Sequence, residues 1–492
     1  MKMSIVSALA ATAVLALIAL PANAQRGRSA GRTGDKQLLK RFDSDGNGWL
    51  NREERDAARA FLAESREQGR RRRSREEEPA VPGPKVAETD VDKYPGVPLY
   101  DQVTLRTVFI EFEQGDWEDE LAAFYHTDVE LPATMRIDGK SYSNVGIQFR
   151  GNSSFWTVSK GRKRSMSVTF DHVVKGQSLE GYRALTLLNA HADPTFLRSV
   201  LYLDLVKQYL PAPMVNYVRV VINGELWGIY INQQRYNKDC LKDAFGTRAG
   251  IRFKSSNRSR KGSLSYLGSD VDEYRKWYEI KSKDKDESWA PLIEVTRVLA
   301  ETPPESLEEE LAPIFDIDGA LRYLALDIVV QSGDGYWLHG SDYNMYLDPN
   351  GVLHMVHHDT NESFTAQGPR RGEPKTAEVD PFAKIDDENK ALRNKLLAVP
   401  KLRKQYLQYV RDIARDSLDW KVMGPKIDAF RKLIAADITR DTRKLYATEK
   451  FNTDVFGDSD EAPSASTIKG FIEQRRVFLL AHPEIQALKD ER

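Results

Sequence analysis

Apolar and polar positions alternate with a period of two over residues 104–112, as they do in a half-buried strand. The same alternation over 133–149, broken by Asp138 and Gly139, predicts a hairpin turning at that dipeptide, and 165–170 reads as a further strand. Residues 215–222 and 227–231 are two more strands joined by Asn223-Gly224, a pair suited to a turn whose central residues both take positive φ. Ahead of that pair, 197–209 carries a helical period. The second half of the chain is mainly helical in pattern, over 290–300, 317–331, 401–417 and 423–446. One strand pair interrupts it, 344–347 and 352–356, turning at Asn350-Gly351. A strand-rich half leading into a helical half predicts an α+β enzyme with two lobes and a cleft between them. No internal repeat is visible.

The N-terminus has a different character. Lys2 precedes an apolar run from Ile5 to Leu20, and Pro21-Ala22-Asn23-Ala24 then offers small residues at a cleavage site. Residues 1–24 therefore read as a signal peptide, which predicts a secreted, periplasmic or cell-surface protein with no stable membrane span after cleavage. A basic Gly/Ser-rich stretch, 25–34, opens a second region, 25–69. Arg70 to Arg73, Glu76 to Glu78, Pro79, Pro82 and Pro84 mark a charged, disordered linker over 70–94, and 95–492 has globular composition. The formal net charge is -1, so no global field favours nucleic acid as a partner. Cys240 is the single cysteine. It excludes an internal disulfide and reads as a small buried apolar group.

Within 25–69, the residues Asp43, Asp45, Asn47, Trp49, Asn51 and Glu54 occupy the ligand positions of an EF-hand calcium loop. Asp43, Asp45 and Asn47 supply side-chain oxygens, and Gly48 permits the sharp turn. Trp49 offers its carbonyl, Leu50 packs the loop, and Asn51 acts directly or through water. Glu54 closes the shell with two oxygens. Helical patterns flank the loop on both sides. Calcium, a hard cation, suits an all-oxygen set. A solvated Asp/Asn/Gly turn is the bland alternative.

Another concentration of polar chemistry runs from Gln331 to Phe364. Asp334 follows a long apolar helix, Asn344 opens one strand, and Asp359 ends the returning strand. An Asp and an Asn at paired strand ends suit Mg²⁺, and a second Asp can accept a hydroxyl proton, the minimal equipment of phosphoryl transfer. An acid-rich loop without chemistry has the same composition. His354, His357 and His358 alternate across a strand and so do not form a compact three-histidine site, leaving His357 with Asp359 as the one transition-metal pairing to weigh.

This stretch is similar to the signature of the spore-coat CotH family. The resemblance extends, in order, over about residues 95–480. It includes Ile137-Asp138-Gly139, Phe149-Arg150-Gly151-Asn152, Lys163-Arg164-Ser165, Asp193 to Arg198, Ile222-Asn223-Gly224-Glu225 with Gly228 and Tyr230, and Arg252 to Lys254. The resemblance implies an atypical two-lobed protein-kinase-like fold, preceded here by the helix-loop-helix and linker. It implies ATP with Mg²⁺ or Mn²⁺ as cofactor and Ser of an exported protein as substrate. By position, Asp334 would be the catalytic acid, Asn344, Asp359 and Asn361 the metal ligands, and Lys163 the phosphate contact, with Arg164 as second candidate. The chain departs from the pattern at His358, where Trp is usual, at Asn361, where a second Asp is usual, and at Gln234, where an acid is common. Those departures motivate one rival, a non-catalytic calcium-binding surface scaffold with a degenerate kinase fold; a further alternative keeps the ATP site but transfers another group such as adenylate.

Overall fold

Seven strands close into a barrel. The computed structural model describes residues 37–67, 80–255, 262–368, 373–457 and 463–488, so the expected signal peptide and part of the expected linker lie outside the described residues. The barrel strands are β1 (Arg106–Glu111), β2 (Leu131–Ile137), β3 (Lys140–Phe149), β4 (Met166–Thr169), β5 (Ala184–Leu188), β6 (Val215–Ile222) and β7 (Glu225–Gln234). They follow the order β1-β2-β3-β4-β5-β7-β6. Every pairing is antiparallel except the one that closes the barrel, where β6 runs parallel to β1 with Arg106 beside Val218 and Ile110 beside Ile222. The hairpin turns are local: Asp138 and Gly139 have φ of 51° and 78°, and Asn223 and Gly224 have 49° and 75°. One side of each strand fills the interior with Val108, Ile110, Met135, Val145, Ile147, Val168, Leu187 and Val220. Closure leaves no unpaired strand edge.

A second, four-stranded sheet carries the site. It is built from β8 (Ile251–Ser255), β9 (Tyr278–Ile280), β10 (Asn344–Leu347) and β11 (Leu353–Val356), in the order β11-β10-β8-β9 and antiparallel throughout. Helices Ala290–Glu301, Ile317–Val329, Pro400–Asp412, Trp420–Arg440 and Ile468–Ala481 pack around it. They share one apolar core that includes Trp289, Leu321, Tyr323, Trp337, Tyr406 and Phe471. Helix Arg198–Val206 is buried on nearly every side and belongs to this core, which also reaches barrel residues Tyr217, Ile229 and Ile231.

Two expectations are corrected. The fold is a closed barrel with an appended sheet and helices, not a two-lobed protein-kinase-like fold. Alternation within each strand is the same in an open sheet and in a barrel. The parallel β1–β6 pairing that decides between them joins segments over a hundred residues apart. The expected disordered linker is ordered chain over 80–94. Val86 N donates to Gly224 O at 3.0 Å, Leu226 N donates to Pro84 O at 2.9 Å, and Val86 and Val91 pack against Phe109, Val221 and Leu226. Charge and proline content hid two apolar residues that cover the β6–β7 turn. Among the described residues, no helix is long and apolar enough to cross a membrane.

Candidate functional site

Helix Ile317–Val329 aims the first acid. Its N-terminus is capped by the Asp316 carboxylate, which accepts from Gly319 N at 2.9 Å. Its C-terminus is held by the buried Arg475 guanidinium, which donates to Ile328 O at 2.9 Å and to Val329 O at 3.3 Å. Asp327, also buried, folds the loop that follows: Trp337 N donates to its Oδ2 at 2.7 Å, and burial pushes this carboxyl up to about 7. Gly335 must be glycine, because a Cβ there would lie 1.9 Å from Asp327 Oδ1. Asp334 sits in this loop.

Asp359 and its neighbours are fastened from the other side. Gly333 N donates to Glu362 O at 2.8 Å, and Phe364 N donates to Val330 O at 3.0 Å. The Arg198 guanidinium donates to Ser363 O at 2.6 Å and to Phe364 O at 2.8 Å. Asp193 in turn accepts from Arg198 N at 2.9 Å. Four non-glycine residues here adopt left-handed backbone: Gln331 (φ 49°), Asp342 (59°), Asp359 (51°) and Phe364 (53°). Strained conformations persist only where surrounding contacts over-determine them, and they gather at functional sites.

The loops bring Asp334, Asp342 and Asp359 together, with carboxylate oxygens of all three within 4.8 Å of one another. Asp342 is buried, Asp334 half-buried and Asp359 exposed. Burial pushes Asp334 up to about 7, reinforced by the charges of Glu362, Asp359 and Asp342. Burial also pushes Asp342 up to about 6, against the pull of Lys254. Asp342 Oδ1 is buried without a hydrogen-bond partner among the described residues. Carboxylates crowded into a partly buried site are relieved by a cation, and an all-oxygen donor set suits Mg²⁺ or Mn²⁺.

Basic groups rim the acids. Lys254 stands opposite Asn344 in the β8–β10 register; its Nζ donates to His358 Nε2 at 2.7 Å and lies 3.7 Å from Asp342 Oδ1. Burial, reinforced by the Lys254 ammonium, holds the His358 imidazole well below its usual range. Arg150 and His191 both feel the Asp359 charge, although burial lowers both, Arg150 to about 10. Asn361 donates to His191 O at 3.0 Å, and its Oδ1 has no partner among the described residues.

The remaining predicted residues fall in several places. Asn344 is buried at the start of β10, two residues beyond Asp342. Lys163 is fully buried, donating to Asp441 Oδ2 at 2.5 Å and to Ile229 O at 2.9 Å. Arg164 lies over the Phe155 ring and donates to Val158 O at 2.7 Å. Gln234 is structural: it donates to Asp243 at 2.6 Å and accepts from Met214 N at 3.1 Å. The three histidines separate. His354 lies between Asp316 and Asp348, and His357 is buried against Tyr202 and Tyr323 with its pKa down to about 3. Sequence reasoning missed Asp342, Glu362, Lys254, Arg150 and His191 as site residues. The one local signal was the spacing of Asp342 two residues before Asn344.

The loop after helix Leu39–Phe42 brings Asp43, Asp45 and Glu54 oxygens within 4.8 Å of one another. Glu54 already reaches across it, accepting from Ser44 Oγ at 2.5 Å and from Asn51 N at 2.9 Å, and the Ser44 bond holds its carboxyl below the usual range. Asp43 accepts from Asn47 N and Gly48 N, Asn47 accepts from Trp49 N, and Asn51 accepts from Glu54 N. Leu38, Leu50, Ala58 and Leu62 pack on Phe124 and Val129 beside the barrel, and Arg55 pairs with Glu120 at 2.7 Å.

A barrel whose neighbouring sheet presents a carboxylate cluster rimmed by cations is the framework on which the comparisons fall. Residues 147–479 match the family described as CotH kinase protein, and the chain belongs to that family. It is similar to three proteins of Rhizopus delemar. It is 23% identical over 285 residues to spore coat protein homolog 1, covering 54% of this chain and 44% of that protein. It is 23% identical over 243 residues to invasin CotH3, covering 45% and 38%. It is 20% identical over 365 residues to invasin CotH7, covering 70% and 57%. The chain thus spans about half the length of the curated relatives it matches.

Proposed function

We propose that this protein is a metal-dependent phosphotransferase that moves the γ-phosphoryl group of ATP to a seryl hydroxyl of a protein in the exported compartment. The reading rests chiefly on the meeting of Asp334, Asp342 and Asp359 within 4.8 Å. Asp342 and Asp359, with Asn344 and Asn361, would hold Mg²⁺ or Mn²⁺, which supplies charge neutralisation to the phosphates when bound. Asp334 accepts the proton of the attacking hydroxyl. The seryl oxygen–phosphorus bond forms as the bond from phosphorus to the β–γ bridging oxygen breaks, and ADP leaves. Arg198 and Asp327 act through the backbone, fixing the loops that carry these acids. Calcium in the 43–54 loop belongs to the same reading, supported by its complete oxygen set. The leader-like N-terminus and the relatives named for spore coat and invasion support an exported or surface location.

Transfer of label from γ-labelled ATP into exported proteins, with Mg²⁺ or Mn²⁺ present, tests the reading. Asp334→Asn should lower it about 10²–10⁴-fold, and Asp359→Asn should abolish it, both with unchanged circular dichroism. Full transfer by both variants would overturn the assignment, and transfer from α-labelled ATP instead would indicate adenylate transfer. A second reading, a non-catalytic surface scaffold, is favoured by one observation: the Lys163 ammonium is consumed by Asp441 inside the fold. It requires that no label move from either position.

A further inference from the structure

We propose that the cleft between residues 157–162 and 442–448 is an anion seat that takes a phosphate-bearing ligand. The cleft encloses about 530 Å³, and its polar lining includes Thr157, Ser159, Arg162, His191, Lys444 and Tyr446. No carboxylate side chain lines it among the described residues, although the carboxylate cluster lies just beyond His191. Two cations with the Ser159 and Tyr446 hydroxyls, and no opposing acid, form a donor set for phosphate oxygens, and a guanidinium matches them in a planar fork.

The seat is built before any ligand arrives. Arg162 Nη1 donates to Thr442 O at 3.2 Å and to Lys444 O at 3.3 Å, tying one wall to the other. Lys444 Nζ donates to Asp441 O at 2.7 Å, which leaves further ammonium hydrogens to bind a ligand. Thr157 Oγ1 meets His191 Nε2 at 2.9 Å, and the Tyr446 hydroxyl accepts from Ala192 N at 2.8 Å. Pre-organised donors cost little further ordering when an anion binds.

His191 joins the seat to the acids, because Asn361, two residues from Asp359, donates to its carbonyl at 3.0 Å. A ligand with one phosphate in the seat is thereby placed beside the carboxylate cluster. The assignment deepens the phosphotransferase reading and rests on it for the direction in which the ligand points. The phosphate has two chemical sources, the polyphosphate of the donor nucleotide or a phosphorylated residue of the acceptor.

Calorimetric titration of the whole chain with inorganic pyrophosphate and, separately, with phosphoserine tests the seat, first in EDTA and then with Mg²⁺. At least one probe should bind in EDTA, since the seat's own charges need no metal. Lys444→Ala should weaken that binding about tenfold, the loss of one charge-assisted bond. Ser159→Asp, which places a carboxylate in the seat, should abolish it while leaving the melting temperature unchanged. Binding of pyrophosphate alone assigns the seat to the donor, and binding of phosphoserine alone to the acceptor. Failure of both probes on the folded wild type, or equal binding by wild type and Ser159→Asp, overturns the proposal. Binding in EDTA without any phosphoryl transfer leaves the seat standing and removes only the catalytic reading.

Discussion

Lys163, in the loop just before β4, and Asp441, at the C-terminus of helix Trp420–Arg440, form an ion pair with neither side chain exposed, Nζ to Oδ2 at 2.5 Å. The ammonium also lies 4.7 Å from the centroid of the Phe196 ring. Burial lowers the lysine's pKa and the Asp441 charge opposes that effect. The pair ties the segment that walls the proposed anion seat to the interior of the β-structure.

Breaking this pair should cost stability. Lys163→Ala leaves Asp441 buried and uncompensated, at a cost of roughly 3–5 kcal/mol. The double variant Lys163→Met, Asp441→Leu should recover most of that loss, because it removes both desolvated charges. Urea unfolding of the three proteins measures it. Unchanged stability in Lys163→Ala with lost ATP binding would instead make the ammonium a phosphate contact.

Gly228 guards the same pair. Its φ is +96°, and a Cβ there would lie 2.0 Å from Asp441 Oδ2. Gly228→Ala combines a strained backbone with a displaced carboxylate and should destabilise by about 3 kcal/mol or more. A melting temperature equal to that of wild type would contradict the geometry.

Calcium should stabilise the chain through the 43–54 loop. With a dissociation constant on the order of 10⁻⁴–10⁻³ M, 10 mM calcium adds about 1.4–2.7 kcal/mol by mass action. Glu54→Gln should remove the increment. Trp49 lies within the loop and should sensitise terbium luminescence. No thermal shift and no luminescence in the wild type would reject calcium at this loop.

His354 should make stability fall as the solution becomes alkaline. Its imidazole contacts Asp316 at 3.0 Å and Asp348 at 3.4 Å. Burial opposes protonation, but bonds to the two carboxylates outweigh it and raise the pKa above 6.5. The contribution is complete below the unfolded-state value and is lost as pH rises through the folded one. Both carboxyls are held below 3.8, so their share disappears only in acid. Melting curves from pH 5 to 9 should show a smaller decline for His354→Gln than for the wild type.

Legibility in the sequence followed the range of the forces involved. The hairpins at Asp138-Gly139 and Asn223-Gly224 were readable because two adjacent residues set the turn. The β10–β11 pair was readable in the same way, with a register that sets Asn344 opposite Val356. Helix Ile317–Val329 was visible in its period, while the Arg475 side chain that holds its C-terminus comes from a segment 147 residues away. Asp334 and Asp359 were singled out as strand- and helix-end acids. Asp342, Glu362, Arg150 and His191 were not, because polar loop residues carry no periodicity that reports what they face.

By itself, then, the sequence determined the local elements, the oxygen-rich loop at 43–54 and the ordered motifs of a CotH protein, all of which depend on neighbouring residues. Tertiary structure alone decided that the strands close into a barrel, that Lys163 is spent on Asp441, and that three acids from separate loops share one site. Each of those outcomes is a contact between segments distant in the chain, where burial and charge pairing, not local propensity, choose the partner.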